Sequence, residues 1–161
     1  MYSSKAAWTV CPYVVRDGHV NPDVRTLGGP DDINTLSQAV LYVALGYALR
    51  NEHSFSEKFA NFIQTFFVND ATKINPNIDF GQVVRGPGAA GRTGTFTGVL
   101  DWRGLVKVTN GVMIMKSTHS PHWTSDLSSD MTSWAEEYLG WLRGGNIGRM
   151  AASRPKYVVS F

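Results

Sequence analysis

Cysteine is almost absent from this sequence, and its scarcity excludes whole classes of structure. Cys11 is the only one, so the chain forms no intramolecular disulfide and carries no paired-cysteine metal motif. Four histidines are scattered along the chain, and only His119 and His122 lie near each other. That pair has no further ligand at a suitable spacing, so we expect no metal site.

Long apolar runs and charge of one sign are also missing. No apolar run approaches the roughly 20 residues that a membrane-spanning helix requires, and the first residues lack the apolar stretch of a signal peptide. The 15 lysines and arginines are nearly balanced by 13 acidic residues and form no basic run. Nucleic-acid-binding domains carry clustered basic residues, so this charge pattern argues against a nucleic-acid partner.

The rest of the composition is typical of an ordinary folded domain. With 161 residues, of which 43% are apolar and 17% charged, the chain is long enough to bury a core and too apolar to stay unfolded. We therefore expect a single domain.

The most informative stretch covers residues 75–103, NPNIDFGQVVRGPGAAGRTGTFTGVLDWR. It holds six glycines and two prolines with almost no helical periodicity, although helical patterns flank it. Connections longer than about 12–15 residues are uncommon in compact domains unless they bind something. Its polar groups are mainly amides and guanidinium groups: Asn75, Asn77, Gln82, Arg85, Arg92 and Arg103. Glycine lets a backbone approach a ligand closely and arginine matches carboxylate geometry, so the segment predicts a site for an anionic polar ligand.

The pattern before this segment predicts an irregular arm followed by a helical hairpin. Turn-forming residues punctuate residues 1–31 too densely for a long helix. An aspartate at position 31 or 32 is placed to cap a first helix that reaches about Asn51. Ser54 and Glu57 fit the capping box of a second helix, and the short connection favours an antiparallel pair. The buried face of this second helix is expected to contain Phe59, Phe62, Ile63, Phe66 and Phe67.

After the segment, apolar spacing predicts two further helices. One covers residues 99–116, although Gly111 weakens its pattern. Thr124 or Ser125 is placed to begin the other, which ends at Gly144-Gly145. Its apolar face contains Leu127, Met131, Trp134, Tyr138, Leu139 and Leu142. No strand alternation is present, so the predicted fold class is all-α, with two helical hairpins joined by a long Gly/Pro-rich loop.

Five short motifs occur in order along the chain. They are PYVVRDG at residues 12–18 with the following Asn21-Pro22, FFVNDAT at 66–72, NPNIDFGQ at 75–82, GRTG at 91–94 and VLDWR at 99–103. Their order and spacing resemble the alginate lyase family of polysaccharide lyases. The similarity extends from about residue 12 to residue 155.

The resemblance implies both a fold and an activity. The fold is an (α/α) toroid, of which residues 32–155 would be a partial domain preceded by the arm at 1–31. The activity is β-elimination on a uronate-containing polysaccharide, with no metal or organic cofactor. An acidic polysaccharide is then the expected partner, and a secreted or periplasmic location is expected.

The chemistry of β-elimination explains which side chains matter. The proton to be removed lies on C5, beside the uronate carboxylate, and amide or guanidinium donors that neutralise this carboxylate stabilise the carbanion-like transition state. A tyrosine or histidine acts as the base, and a tyrosine can protonate the departing glycosidic oxygen. We expect the substrate-binding residues to be Gln82, Arg92, Asn77, Arg85 and Trp102, and we assign no catalytic residue.

Each of these residues also has a structural interpretation. Arg92 could be a solvated loop arginine, and Gln82 could satisfy loop backbone groups. Asn77 fits a turn, in which its side chain bonds to nearby backbone. Trp102 adjoins the loop and could stack on a pyranose ring or belong to the core.

The resemblance stops after Pro155. The family continues there to an Asn-Asn-His motif that supplies the carboxylate neutraliser and a catalytic histidine, whereas residues 156–161 read KYVVSF. We therefore expect a truncated lyase with an off-pattern tail at 156–161, unable to turn over substrate as given. Apolar helix faces without neighbours would favour self-association.

Two other functions are compatible with the same residues. The chain could be a non-catalytic remnant that binds acidic carbohydrate, or a helical scaffold without affinity for sugars. Binding of an acidic polysaccharide separates the first two functions from the scaffold, and release of an unsaturated sugar separates a lyase from a binding protein.

Overall fold

A computed structural model describes residues 28–82 and 94–153, and all regular secondary structure in these ranges is helical. The all-α prediction is therefore confirmed. The helices are α1 (Gly29–Arg50), α2 (His53–Ile63), a π-helical turn (Gln64–Val68), a 3₁₀ helix (Phe96–Trp102), α3 (Leu105–Ser117), α4 (Ser125–Gly144) and α5 (Asn146–Ala152). Most of the predicted arm, Arg85, Arg92 and the tail after Pro155 lie outside the described residues.

Helix α1 begins before Asp31 and Asp32, which were expected to cap it. Pro30 occupies the first turn, and the N-cap is Gly28, which provides no side-chain hydrogen bond. Asp31 and Asp32 therefore do not cap the helix. They lie inside its first turn, where their negative charge complements the positive end of the helix dipole. The predicted end is confirmed, since Asn51 is the left-handed C-cap residue.

The predicted capping box of α2 is wrong, but its apolar face is right. The helix begins at His53 with Glu52 as N-cap, so Ser54 lies within the first turn and makes no capping bond. Phe59, Ile63 and Phe67 are fully buried in one core, while Phe62 and Phe66 are partly buried against it. The π-helical turn extends this aromatic face by one turn beyond Ile63.

The close packing of α1 against α3 depends on two glycines. A Cβ atom on Gly104 would lie 2.9 Å from the Oγ of Ser37, and one on Gly111 would lie 3.4 Å from Val40 of α1 and 2.9 Å from the ring of Phe59 on α2. Gly111, which weakened the helical pattern in the sequence, is thus the residue that lets α3 approach the core. The core is formed by Val40, Ala44, Tyr47, Phe59, Ile63, Phe67, Val108, Met115, Leu127 and Trp134.

The second predicted hairpin is not a close-packed pair. Helix α3 packs chiefly against α1, whereas α4 packs against the π-helical turn, α5 and α2. The single helix predicted over 99–116 is also divided, because the 3₁₀ helix ends at Trp102 and α3 begins at Leu105. This break brings Gly104 against α1.

Helix α4 follows the prediction at both ends. The hydroxyl of Thr124 accepts a hydrogen bond from the backbone N–H of Leu127 at 3.2 Å, and Gly145 is the C-cap. Leu139, predicted on the apolar face, is instead exposed. The short helix α5 that follows was not predicted.

Buried hydroxyls fix the connection between α3 and α4. Ser56 on α2 is fully buried, and its Oγ lies 2.5 Å from the Oγ of Ser120 and 3.0 Å from the Nδ1 of His122. The backbone N–H of His122 also donates to Ser56. The loop from 118 to 124 is therefore tied to α2 through one side chain.

The outward face of α1 is apolar and exposed. Tyr42, Leu45 and Leu49 are exposed there, with Leu49 84% accessible. These residues are spaced three and four apart and so share one side of the helix. Self-association through such a face stays a prediction.

Candidate functional site

The segment that begins the glycine-rich stretch lies across α4 and is fixed there by two tryptophans. The indole N–H of Trp134 donates to the backbone oxygen of Ile74 at 2.7 Å, and that of Trp141 donates to Oδ1 of Asp79 at 2.8 Å. The two tryptophans are seven residues apart and so lie on one side of α4, two turns from each other. Both bonds join parts of the chain about 60 residues apart, so α4 determines where residues 74–79 lie.

A row of aromatic rings lies along this side of α4. The ring of Tyr138 lies 6.0 Å from Trp134 and 5.9 Å from Trp141, with interplanar angles of 21° and 19°. Trp102 joins the row from the 3₁₀ helix, at 5.8 Å from Trp134 and 5.1 Å from Tyr138. Burial raises the pKa of the Tyr138 hydroxyl. The row lies beside residues 74–79, which bond to its Trp134 and Trp141.

Two stretches that flank residues 83–93 are joined backbone to backbone. The N–H of Gly94 donates to the carbonyl of Asp79 at 2.8 Å, and that of Thr95 donates to Gly81 at 3.0 Å. Gly98 lies so close to Gly81 that a Cβ atom on it would be 2.5 Å from the carbonyl oxygen of Gly81. Glycine is required here because no side chain fits between the two backbones. Residues 79–81 and 94–98 of the predicted ligand-binding stretch are therefore held against each other, and we call this contact the base of the stretch.

Gln82 and Asp101 form a polar pair at this base. The side-chain Nε2 of Gln82 donates to Oδ1 of Asp101 at 2.7 Å. Burial raises the pKa of Asp101, although hydrogen bonds from the side chain and backbone of Gln82 and the positive charge of Arg103 act in the opposite direction. Gln82 has a positive φ of 50°, an uncommon conformation for a residue with a side chain. The pair thus holds Gln82 in one place and one orientation.

The structure brings two of the predicted site residues together. Gln82 bonds to Asp101, and Trp102 is the next residue in the chain, with its ring in the aromatic row. Trp102 is partly buried and packs against the core. Its proposed role in sugar stacking stays a prediction.

Asn77 takes part in a local turn. Its backbone N–H donates to the carbonyl of Asn75 at 2.7 Å, and its Oδ1 lies 3.5 Å from the backbone nitrogen of Asp79. This geometry agrees with the turn interpretation and leaves a role in binding as a prediction. Arg103 is exposed, whereas Arg85 and Arg92 belong to the part of the chain that the structure does not describe.

Three residues of this site were not predicted from sequence. Asp79 and Asp101 lie inside the motifs NPNIDFGQ and VLDWR, and both act as acceptors that fix the segment. Trp141 lies seven residues after Trp134, so helical spacing would have placed both indoles on one side of α4. Nothing in the sequence pairs either aspartate with its distant donor, because these bonds depend on tertiary structure.

The described residues contain no cluster of metal ligands and no membrane-spanning helix. Within 28–82 and 94–153, no group of three or more His, Cys, Asp or Glu side chains could hold a metal ion. No helix in the same ranges is long and apolar enough to cross a membrane. His122, one of the histidine pair in the sequence, instead bonds to Ser56.

The described site combines a fixed polar pair with a row of aromatic rings. Binding sites typically place a few fixed polar groups against an apolar or aromatic wall. Here the amide of Gln82 bonds to Asp101, and the ring of the following residue, Trp102, belongs to a row of four aromatic rings.

Comparisons with known proteins identify the family. The family model described as alginate lyase matches residues 1–155 of the chain. A crystal structure of an alginate lyase from Bacteroides ovatus shares the fold with a TM-score of 0.76 and 23% sequence identity. The match covers 87% of this chain and 36% of that one, so the chain spans about a third of that lyase. No curated protein matches. With nearly its whole length matched by the family model, this chain belongs to the alginate lyase family.

Proposed function

We propose that this protein acts as a polysaccharide lyase that cleaves a uronate-containing, alginate-like polysaccharide by β-elimination. The observation that carries the proposal is the family match over residues 1–155. The helical fold shared with a bacterial alginate lyase supports it. Members of this family generally act outside the cytoplasm, so the proposed location is periplasmic or extracellular.

In the proposed reaction the enzyme removes the C5 proton of a uronate and expels the group at C4. A base takes the proton, the electron pair forms the C4=C5 double bond, and the C4–O bond breaks. The departing glycosidic oxygen takes a proton from an acid. Donors that neutralise the uronate carboxylate stabilise the charge that develops during proton removal.

We assign substrate binding to Gln82, Arg92, Asn77, Arg85 and Trp102. Gln82 bonds to Asp101, the residue before Trp102 of the aromatic row, which supports a place for its amide at a sugar-binding surface. Arg85 and Arg92 carry the positive charge of that stretch. Guanidinium groups bind carboxylates strongly and in a defined geometry, so these two arginines are the proposed contacts with uronate groups.

Binding and turnover are separate parts of this proposal. The chain departs from the family pattern at Lys156, where the resemblance places an Asn-Asn-His motif. Loss of one preorganised donor costs on the order of a hundred- to a thousandfold in rate, so turnover depends on a carboxylate neutraliser, a base and an acid acting together. We therefore expect polyuronate binding to depend on the groups within residues 75–103, whereas turnover also depends on the groups that transfer protons.

The arginine assignment is tested by comparing two variants of equal charge. Arg92→Ala should weaken binding to polyuronate more than Lys58→Ala, a substitution at an exposed position on α2. Binding should also weaken as salt is added, because screening reduces attraction between exposed charges. Equal effects of the two variants would remove Arg92 from the site.

The class of function is tested with the unmodified chain. Binding to polyuronate but not to a neutral glucan is the expected result, and release of ultraviolet-absorbing product then separates a lyase from a non-catalytic binding protein. Clear turnover would show that the catalytic groups are within residues 1–161, and absence of all binding would favour a helical scaffold.

A further inference from the structure

Asp101 has no assigned role, yet it is placed to control a proposed substrate contact. It lies near the end of the 3₁₀ helix and accepts a hydrogen bond from Nε2 of Gln82 at 2.7 Å. The backbone of Gln82 also bonds to it. One carboxylate therefore holds both the main chain and the side chain of the same residue.

The chemistry of this contact determines how the Gln82 amide is oriented. An ionised carboxylate only accepts hydrogen bonds, whereas the two ends of an amide differ: the nitrogen donates and the oxygen accepts. The nitrogen of Gln82 must therefore face Asp101, and the carbonyl Oε1 must point elsewhere. The bond to Asp101 uses the nitrogen of this amide, so Oε1 is the end that can accept from a ligand.

The charge of Asp101 also decides which sugar group suits Gln82. A hydrogen bond to an anion polarises the amide, which strengthens its carbonyl oxygen as an acceptor. A uronate carboxylate bound at the same amide would face the like charge of Asp101 just behind it, and like charges at short range repel. A sugar hydroxyl meets no such repulsion and donates to the strengthened oxygen.

We infer that Asp101 is a positioning residue, which fixes the Gln82 amide so that Oε1 accepts a hydrogen bond from a sugar hydroxyl. Gln82 then recognises the hydroxyl pattern of the polysaccharide and does not neutralise the uronate carboxylate. This inference rests on the proposed function and adds a specificity determinant to it.

A double-mutant cycle on polysaccharide affinity tests whether Asp101 acts through Gln82. Asp101→Asn keeps the shape but lets the pair bond in either orientation, so affinity should fall about threefold. Gln82→Ala should lower affinity about three- to tenfold, since the contact itself is lost. The double variant should bind no more weakly than Gln82→Ala alone, because Asp101 has then nothing left to orient. Additive losses would show that Asp101 does not act through Gln82.

The sign of the change in affinity caused by Asp101→Asn separates a positioning role from a general effect of charge. Removal of a negative charge should by itself strengthen binding to a polyanion, so a loss of affinity in Asp101→Asn is opposite to the long-range effect. Asp130→Asn, at an exposed position on α4, is the matched control and should bind as tightly as the unmodified chain or slightly more tightly. If Asp101→Asn also binds as tightly or more tightly, the positioning role is wrong.

The choice between hydroxyl and carboxylate is tested with a polyuronate and its carboxyl-reduced, neutral form. The ratio of affinities between unmodified chain and Gln82→Ala should be the same for both polymers, since both keep the hydroxyls. A ratio that falls to one on the neutral polymer would show that Gln82 binds the carboxylate.

The readouts also separate failure of this inference from failure of the proposed function. If the unmodified chain binds neither polymer, both the proposed function and this inference are wrong. If it binds polyuronate while the cycle is additive, only the role of Asp101 is overturned. Helical circular dichroism of each variant checks folding. If Asp101→Asn does not fold, Asp101→Ala takes its place in the cycle, and Gln82→Ala on the two polymers still tests the hydroxyl contact.

Discussion

The indole of Trp141 donates a hydrogen bond to the carboxylate of Asp79 at 2.8 Å, across 62 positions of sequence. This contact ties the last turns of α4 to the start of the glycine-rich stretch. Asp79 also accepts the backbone N–H of Gly94 through its own carbonyl. One residue therefore connects α4 with both sides of the proposed binding stretch.

The contribution of this bond can be measured with two substitutions at Asp79. Asp79→Ala removes the acceptor and should lower the free energy of unfolding by about 1 kcal/mol, the usual value for one hydrogen bond. Asp79→Asn keeps an acceptor oxygen and should cost less than half as much. Urea unfolding checks both, and equal losses would show that the bond to Trp141 contributes nothing.

Two helical glycines should respond to alanine with opposite signs. Gly140 on α4 has open space around it, so Gly140→Ala should stabilise the fold by about 0.5–1 kcal/mol through helix propensity. At Gly111 a new Cβ would lie 2.9 Å from the buried ring of Phe59. Gly111→Ala should therefore destabilise the fold by about 1–3 kcal/mol. Thermal unfolding of both variants measures this, and stabilisation by Gly111→Ala would contradict the close packing of α3 against Phe59.

The buried hydroxyl of Ser56 should contribute more to the free energy of unfolding than an exposed hydroxyl on the same helix. Ser56→Ala leaves Ser120 and His122 without their shared partner, and an unpaired buried polar group costs about 1–3 kcal/mol. Ser54→Ala, two residues earlier at an exposed position of the same helix, should change stability by less than about 0.5 kcal/mol. Similar losses in both variants, measured by denaturant unfolding, would exclude a special role for the buried cluster.

The free energy of unfolding should fall at alkaline pH because Tyr138 belongs to the aromatic row. Burial raises the pKa of Tyr138 above its ordinary value of 10.0, so the folded state holds this proton more tightly than the unfolded state. The associated stability is fully present below pH about 10 and is lost as pH rises through the raised pKa. Tyr138→Phe keeps the ring but has no hydroxyl to titrate. Its free energy of unfolding should therefore fall less between pH 9 and 11 than that of the unmodified chain. Parallel stability curves for the two proteins would contradict this.

The sequence predicted the helices better than their arrangement. Apolar spacing located the buried faces of α2 and α4, since burial on one side imposes a helical period. The capping predictions failed at Asp31, Asp32 and Ser54 because several polar residues near each helix start satisfy the same local pattern. The second hairpin was wrong because short-range spacing does not reveal that Gly104 and Gly111 let α3 pack on α1.

In the candidate site, too, local features could be predicted from the sequence and long-range contacts could not. The glycine-rich stretch, Gln82 and Trp102 were identified from composition and motif order, which are local properties. The bonds from Gln82 to Asp101 and from Trp141 to Asp79 join residues 19 and 62 positions apart. No local pattern encodes such pairings, so the orientation of the Gln82 amide follows only from the fold.

The central claim is that the stretch at residues 75–103 binds a polyuronate, and a direct binding titration tests it. The unmodified chain is titrated with polymannuronate, polyguluronate and a neutral glucan at low and high salt. We predict saturable binding to at least one polyuronate, weaker at high salt, and no comparable binding to the glucan. Binding to neither polyuronate, or equal affinity for the neutral glucan at both salt concentrations, would contradict the account.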